Sequence, residues 1–310
     1  MLNIFFLTNL PASYKVDFLN NVSKSTKLFV AFERKESNIR KKGWYSFNFS
    51  FDYSFCHGIN VGVESSLSFE PIRIIKTHKF DKIIINGYSS PTAILTINYL
   101  IKNKIPYILM LDGCFPKGKA KGIKNRLKRK IFKNASNIFS PNYLTDKAIL
   151  ENDADETKIK RYPFSSVSNK NIEWEYDKND FKAKIGFAEK KIILFVGQFI
   201  LRKGIDILID SFEEISKYNR DTILIMVGGT NKDVEKLNLK LSSNIVIMPF
   251  LNKNVLFDYY KAADLFILPS REDIWGLVIN EAISIREGAD KYAESVIKRL
   301  VGDMTELQSI

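Results

Sequence analysis

The chain has 310 residues and a net charge of +12 at pH 7, from 47 basic and 35 acidic side chains. This length favours two domains over one, and the positive charge favours anionic partners: nucleic acid, a phospholipid surface or phosphorylated substrates. The two cysteines, Cys56 and Cys114, have neither metal-ligand spacing nor a disulfide framework, which argues against a zinc module and a disulfide-stapled secreted domain.

Membrane-spanning and export segments are not predicted. No stretch approaches the ~20 consecutive apolar residues that a transmembrane helix needs. Residues 1–7 form too short an apolar run, without a basic start, for a signal peptide. We therefore expect a cytoplasmic protein.

The first half of the chain alternates short apolar strands with helices. Continuous apolar strands separated by helices predict a parallel sheet that is covered on both faces. Alternating aromatic and polar residues over 44–51 predict a further strand or an edge segment. The predicted strands cover residues 2–7, 28–32, 82–86, 105–111 and 158–162, and the predicted helices cover 16–22, 72–78, 91–102 and 143–150.

The pattern restarts after a polar segment, residues 166–181, which has no clear period and is predicted to be a linker. We therefore predict one doubly wound domain over residues 1–165 and a second over residues 182–310. In the second domain the predicted strands cover residues 192–196, 222–227, 244–248 and 264–268, and the predicted helices cover 205–218, 234–241 and 255–262.

The stretch 265–283 carries the clearest chemical signal. A buried strand ends in a polar loop, and an apolar helix follows Gly276, which is a geometry that binds phosphates. Asp273 and Glu281, with seven residues between them, would repel a bare phosphate but are good acceptors for sugar hydroxyls. The layout predicts a ligand with sugars at both ends and a diphosphate between them, a nucleotide-sugar. The alternative is an ordinary strand–helix turn with surface acids.

Residues 273–282, Asp-Ile-Trp-Gly-Leu-Val-Ile-Asn-Glu-Ala, resemble the acid–seven residues–acid motif of glycosyltransferase family 4. Members of that family are retaining enzymes, and the resemblance implies an α/β protein with two doubly wound Rossmann-like domains facing a cleft, the GT-B fold. Asp273 departs from the family's usual Glu and is one methylene shorter.

After residue 283 the resemblance ends, and residues 292–301 have the pattern of one amphipathic helix. The second domain is therefore predicted to be incomplete, truncated or atypical after residue 284. Two interpretations remain open: a truncated or internally deleted gene, or a compact variant that closes its sheet differently.

A second motif lies in residues 195–204, Phe-Val-Gly-Gln-Phe-Ile-Leu-Arg-Lys-Gly. It resembles the family's Val-Gly-Arg-x-x-x-x-Lys-Gly segment, whose Arg and Lys hold the donor diphosphate. Lys203 matches, whereas Gln198 replaces the Arg, and Arg202 is a possible substitute. Cations are needed here because negative charge builds on the leaving β-phosphate in the transition state. The alternative is a basic loop before a helix.

The resemblance implies the following roles, without metal or cofactor. The catalytic residues are Asp273, Glu281 and Lys203, and the donor-binding residues are Gly197, Gln198, Arg202, Lys203, Phe250, Ile274, Trp275, Gly276 and Glu281. Residues 248–251 correspond to a turn that reads the nucleotide base through backbone groups.

Acceptor-side residues are expected in the first domain. Residues 9–15 resemble the Asn-x-Pro-x-x-Tyr-Arg opening of some family members, so Tyr14 and Lys15 are candidates for contact with acceptor or phosphate. A helix-capping turn is the equally open alternative. Neither histidine follows the strand over 105–111, where many relatives place one. Asp112 lies there instead, in a structural or an acceptor-binding role.

Residues 117–133 are the most charged stretch. Nine basic residues and no acids occur there, and residues 123, 127, 131 and 135 form a predicted apolar helix face. A basic amphipathic helix is typical of membrane-surface elements, and the alternative is a surface helix whose apolar stripe covers the sheet. Nucleic acid is less favoured, because no aromatic platform is interleaved with the charges. The predicted membrane patch comprises Lys124, Arg126, Lys128, Arg129, Lys130 and Lys133.

The Asp153-Ala154-Asp155 triplet has the spacing of an Asp-x-Asp metal pair. It lies among turn-forming residues between a predicted helix and a predicted strand, so a solvated turn is the favoured interpretation.

The resulting hypothesis is a metal-independent, hexosyltransferase-like enzyme on the inner face of the cytoplasmic membrane. It would move a sugar from a nucleotide-diphosphate sugar to a lipid-linked or polysaccharide acceptor in cell-surface glycan synthesis, such as lipopolysaccharide. The alternative is a degenerate relative that binds nucleotide-sugar or membrane without turnover.

Overall fold

The computed structural model describes residues 1–38, 42–116, 118, 122–162, 177–273 and 276–286. The chain divides into two compact units, Met1–Ser166 and Val167–Ile310. Residues 163–176, most of the predicted linker, lie outside the described residues, and a helix begins at Lys178, inside the predicted linker. The predicted helix over 292–301 also lies outside them.

Unit 1 is built on a seven-stranded parallel sheet in the order β3-β2-β1-β6-β7-β8-β9. Its strands are β1 (Asn3–Thr8), β2 (Lys27–Phe32), β3 (Asp52–Phe55), β6 (Lys82–Asn86), β7 (Ile108–Met110), β8 (Asn137–Ser140) and β9 (Ile159–Arg161). Its helices are α1 (Ser13–Ser23), α2 (Glu70–Thr77), α3 (Pro91–Lys102), α4 (Ile123–Asn134) and α5 (Tyr143–Leu150). A separate antiparallel ribbon pairs β4 (Ile59–Val61) with β5 (Ser65–Leu67).

Helices cover both faces of this sheet, as the apolar strands predict. On one face Phe5 and Ile85 pack with Ile97 of α3. On the other face Phe6 and Val30 pack with Leu19 of α1. Alternate residues of the same strand are therefore buried on opposite sides, which is why these strands read as continuous apolar runs.

The predicted strand over 44–51 is wrong. A short 3-10 helix covers Lys42–Trp44, and the strand comes later, at β3. The ring centroids of Phe49 and Phe51 lie 5.3 Å and 6.5 Å from that of Phe32, so the aromatic alternation reflects rings packed against the sheet. The β4–β5 ribbon was not predicted, because its strands are only three residues long and β4 is exposed throughout.

Unit 2 has a four-stranded parallel sheet in its described part, in the order β12-β11-β10-β13. The strands are β10 (Lys191–Val196), β11 (Thr222–Val227), β12 (Ile245–Met248) and β13 (Leu265–Phe266). The helices are α6 (Lys178–Lys184), α7 (Ile205–Tyr218), α8 (Asn231–Glu235), α9 (Lys253–Ala262) and α10 (Leu277–Arg286).

Unit 2 also buries both faces of its sheet. Leu194 and Ile225 pack with Tyr260 of α9 on one face. Phe195 and Leu224 pack with Phe212 of α7 on the other face.

The helix predicted over 234–241 begins earlier and is shorter than expected. Thr230 and Asp233 form a capping box that starts α8 at Asn231. The positive φ of Asn238, 56°, is incompatible with continuing the helix.

Among the described helices, none is long and apolar enough to cross a bilayer.

Candidate functional site

Two loops of unit 2 meet where the strand order of its sheet reverses, between β10 and β13. The basic loop (residues 197–204) follows β10, and the acid loop (residues 269–273) follows β13. The two strands are parallel neighbours, with Ile193 opposite Leu265, whereas β11 lies on the other side of β10. Ligands of doubly wound sheets bind outside the carboxyl ends of the strands at such a switch point. The candidate site therefore lies between these two loops.

Lys203 of the basic loop forms an ion pair with Asp273 of the acid loop. The two side chains are only 12% and 20% exposed, so the pair is largely shielded from water. An ammonium group carries three N–H donors, so this lysine can bind a further acceptor while it holds the carboxylate. The structure thus brings together the lysine and one of the two acids that the sequence singled out.

Gly204 permits this close approach of the loops. Its φ is +68°, and an added Cβ would lie 1.9 Å from the carbonyl oxygen of Pro269. A glycine is required here both for the left-handed backbone and for the space.

Two arginines join the loops on their exposed side. Arg271 donates to both carboxylate oxygens of Asp206, at 2.7 and 2.6 Å, and its Nη1 also donates to the Leu201 carbonyl at 2.6 Å. Arg202 Nη1 donates to the Glu272 carbonyl at 2.9 Å, and the Arg271 amide donates to the Arg202 carbonyl at 2.9 Å. The hydrogen bonds from Arg271 hold the pKa of the Asp206 carboxyl below its ordinary value.

These contacts involve the loop in which Gln198 replaces the arginine of the family motif. Gln198 is exposed, and Arg202, the possible substitute, has one guanidinium nitrogen committed to the acid loop. Sequence reasoning missed Asp206 and Arg271 because neither belongs to the quoted motifs. The only signal was an acid in the first turn after a basic loop.

The second acid is held by a buried tyrosine. Tyr260 Oη donates to Glu281 Oε2 at 3.1 Å, so Glu281 on α10 has a fixed partner on α9. The pKa of Tyr260 is raised well above its ordinary value, mainly because the hydroxyl is buried and also because Glu281 is negatively charged. The tyrosine therefore remains a hydrogen-bond donor.

The backbone amides of Gly276 and Gly197, two of the predicted donor-binding residues, already have partners. The Gly276 amide donates to Asp273 Oδ1 at 3.2 Å, and the Gly197 amide donates to the Val227 carbonyl at 2.9 Å. Phe250, after β12, is 38% exposed. Ile274 and Trp275, predicted to bind the donor, lie outside the described residues.

Unit 1 buries a polar cluster at the carboxyl ends of β1, β6 and β7. Lys15 Nζ donates to Asp112 Oδ2 at 3.0 Å, to Asn86 Oδ1 at 2.5 Å and to Thr8 Oγ1 at 3.2 Å. Asn86 Nδ2 in turn donates to Asp112 Oδ1 at 2.9 Å. The structure brings Lys15 and Asp112 together, and it adds Thr8 and Asn86, which sequence reasoning missed. The signal was the polar residue that closes the apolar β6 strand.

The direct contact expected of Lys15 with acceptor or phosphate does not fit this arrangement. Lys15 is 5% exposed and turned into the cluster, whereas the side chain of Asp112 is 38% exposed. The ring of Tyr14 lies 5.9 Å from Lys15 Nζ and makes an edge contact with Trp44.

The basic helix is α4, and its predicted apolar face is wrong at its first residue. Ile131 and Ala135 are buried, but Ile123 is 85% exposed. Lys128 Nζ lies over the rings of Tyr88 and Phe132, at 5.7 and 5.6 Å. The exposed members of the predicted patch are Lys124, Arg126, Lys130 and Lys133.

The Asp-Ala-Asp triplet is engaged in local structure. Arg129 of α4 lies 3.8 Å from Asp153. Asp155 caps a short 3-10 helix by accepting from the Thr157 amide at 3.0 Å, and hydrogen bonds from Thr157 lower its pKa. These contacts fit the turn interpretation.

Comparisons with known proteins agree with this architecture. Residues 177–286 match the family described as glycosyl transferases group 1. An uncharacterized glycosyltransferase of Methanocaldococcus jannaschii is 33% identical over 37% of this chain and 30% of its own length. The alpha-D-kanosaminyltransferase of Streptomyces kanamyceticus is 24% identical over 44% of this chain and 36% of its own length. The matched regions therefore span about a third of these relatives.

Longer matches exist at lower identity. An uncharacterized 41.2 kDa protein in the cps region of Klebsiella pneumoniae is 26% identical over 81% of this chain and 69% of its own length. Among solved structures, Anabaena HepE in complex with UDP is similar with a TM-score of 0.70 and 14% identity, over 92% of this chain and 79% of that chain. The structural likeness shows the fold, which is that of the GT-B glycosyltransferases.

Proposed function

We propose that this chain, whose residues 177–286 match the family described as glycosyl transferases group 1, transfers a sugar from a nucleotide-diphosphate sugar to an acceptor hydroxyl. The observation that carries the proposal is the ion pair between Lys203 and Asp273 at the switch point of unit 2. Support also comes from HepE, whose structures hold UDP or UDP-glucose.

Lys203 is proposed to bind the diphosphate of the donor. As the bond from the sugar to the phosphate breaks, negative charge grows on the β-phosphate, and a fixed ammonium stabilises that charge most in the transition state. Shielding from water strengthens this interaction. With this cation in place the proposed reaction uses neither metal nor cofactor.

Asp273 and Glu281 are proposed to accept hydrogen bonds from hydroxyls of the donor. Paired hydroxyls suit carboxylates, which only accept. The hydrogen bond from Tyr260 gives Glu281 a defined orientation. Gln198, Arg202, Phe250 and Gly276 complete the proposed donor site, with backbone groups near Phe250 reading the base.

Retention of configuration is proposed on the family resemblance, with the departing phosphate as base toward the acceptor hydroxyl. Asp112, held by Lys15 and Asn86, is the proposed acceptor-side carboxylate, and Tyr14, whose ring lies 5.9 Å from Lys15 Nζ, is the proposed acceptor-side aromatic residue. A hexose transfer to a lipid-linked or polysaccharide acceptor in cell-surface glycan synthesis is proposed. The similar Klebsiella protein from a cps region supports that choice.

The test is nucleotide release from a panel of UDP-, GDP- and ADP-sugars. The wild-type protein should release nucleotide from at least one donor, and a Lys203→Ala/Glu281→Ala double variant should not. The matched control is Glu214→Ala/Lys217→Ala, which removes an exposed ion pair from α7. Equal turnover by the wild type and the double variant would refute the proposal.

Peripheral binding to the inner face of the cytoplasmic membrane is proposed through α4. Its exposed cations each contribute ~1 kcal/mol near an anionic surface, so four hold the protein reversibly. The protein should co-sediment with anionic vesicles at low salt, and Lys124→Glu/Arg126→Glu should release it. Lys232→Glu/Lys240→Glu, two exposed lysines of unit 2, is the control. Equal recovery on neutral vesicles would remove the membrane claim.

A second candidate is a degenerate relative that binds nucleotide-sugar without turnover. Gln198 in place of the family's Arg favours it, because one cation of the diphosphate site is lost. Donor binding by calorimetry without release of nucleotide would establish this alternative.

A further inference from the structure

We propose that Asp206 and Arg271 are positioning residues of the donor site. Their ion pair fastens the acid loop to the start of α7 and thereby holds Asp273 in contact with Lys203. The inference rests on the proposed function, because it concerns how the two loops of the proposed donor site are held in place.

The first step is the geometry of the pair. Both guanidinium Nη atoms reach one carboxylate, at 2.7 and 2.6 Å, and the same guanidinium also reaches the Leu201 carbonyl at 2.6 Å. A bidentate pair fixes orientation as well as distance. Arg271 therefore links three points of the molecule: its own loop, the basic loop and the first turn of α7.

The second step is the location of the pair relative to the catalytic groups. Arg271 lies two residues before Asp273, and Asp206 lies three residues after Lys203. The Arg271 amide also donates to the Arg202 carbonyl at 2.9 Å, so the backbones of the two loops are joined between the two ion pairs. A displacement of the acid loop would be transmitted directly to Asp273.

The third step is to ask which groups each cation of the two loops binds. Arg271 donates hydrogen bonds to the Asp206 carboxylate and the Leu201 carbonyl, and Arg202 Nη1 donates to the Glu272 carbonyl. Lys203, together with the remaining N–H donors of Arg202, then meets the diphosphate. Arg271 keeps the loops together, and Lys203 acts on the ligand.

The experiment measures two quantities in Asp206→Asn and Arg271→Gln. The first is hydrogen exchange of the Arg271 amide, which should be about tenfold faster in Asp206→Asn because the hydrogen bond between the loops opens more often. The second is nucleotide release, whose kcat should fall about 10- to 100-fold with a smaller change in KM, since a misplaced group costs most in the transition state.

Two further variants separate positioning from general stability. Arg271→Lys should not rescue kcat, because an ammonium cannot make the bidentate contact. Glu214→Gln, which breaks the exposed pair with Lys217 on the same helix, should leave exchange and kcat unchanged. Wild-type exchange of the Arg271 amide in Asp206→Asn, or wild-type kcat in both variants, would overturn the inference. Absence of turnover by the wild type would instead refute the proposed function, while the exchange still reports on the loops.

Discussion

Gly204→Ala tests the contact between the two loops most sharply. The substitution places a methyl group 1.9 Å from the Pro269 carbonyl oxygen, at a φ of +68°. The left-handed backbone costs about 1–2 kcal/mol for a residue with a Cβ. Relieving the overlap requires the acid loop to move, and overpacking of this kind typically costs about 1–3 kcal/mol. We therefore expect a loss of about 2–5 kcal/mol in the free energy of unfolding of unit 2.

The assay is urea unfolding followed by circular dichroism, with Gly186→Ala as the control in the same unit. Gly186 also has a positive φ, +82°, but an added Cβ would have no neighbour within 4 Å. The control should show the backbone cost alone, so the difference between the two variants isolates the overlap. Equal destabilisation by the two substitutions would refute the close approach of the loops.

Three further outcomes are expected. Lys203→Met should lower kcat for nucleotide release about 10²- to 10³-fold, as loss of a transition-state charge contact does, and an unchanged kcat would exclude its role. Tyr260→Phe should cost about 1 kcal/mol in the free energy of unfolding measured with urea, because Glu281 loses a hydrogen bond; an unchanged value would argue against that bond. The hydrogen bonds from Arg271 lower the pKa of Asp206 from its ordinary value of 3.8. The stabilisation from these hydrogen bonds should therefore be fully present above the pKa that Asp206 has in the unfolded chain. It should be lost as the pH falls through the lower pKa that Asp206 has in the folded protein. In Arg271→Gln the free energy of unfolding should no longer show this loss at low pH. The same dependence on pH in the variant and in the wild type would count against the pair.

The fold was predictable because both sheets are parallel. Strands such as β6 and β10 are apolar on both faces, so they stand out between helices, and the boundaries of α5, α7 and β11 agree with the prediction. The basic loop and the acid loop of unit 2 were singled out by the family motifs that they resemble. The structure adds the ion pair between Lys203 and Asp273, which connects them.

Other features depend on tertiary contacts that leave no local signal. The aromatic alternation of residues 44–51 mimics a strand, although the rings pack onto the sheet from a non-strand segment. Lys15 reads as a surface cation, yet Asn86 at the end of β6 and Asp112 after β7 enclose it. The pairing of Asp206 with Arg271 joins residues 65 positions apart, which no motif spacing encodes.

The central claim is that Lys203 binds the diphosphate of a sugar nucleotide at the switch point of unit 2. A crystal structure of the protein with UDP tests it most directly, through the distance from Lys203 Nζ to the β-phosphate oxygens. The account predicts a hydrogen bond of about 2.7–2.9 Å, with the lysine still beside Asp273. A nucleotide bound elsewhere, or a β-phosphate held by other groups while Lys203 contacts Asp273 alone, would contradict it.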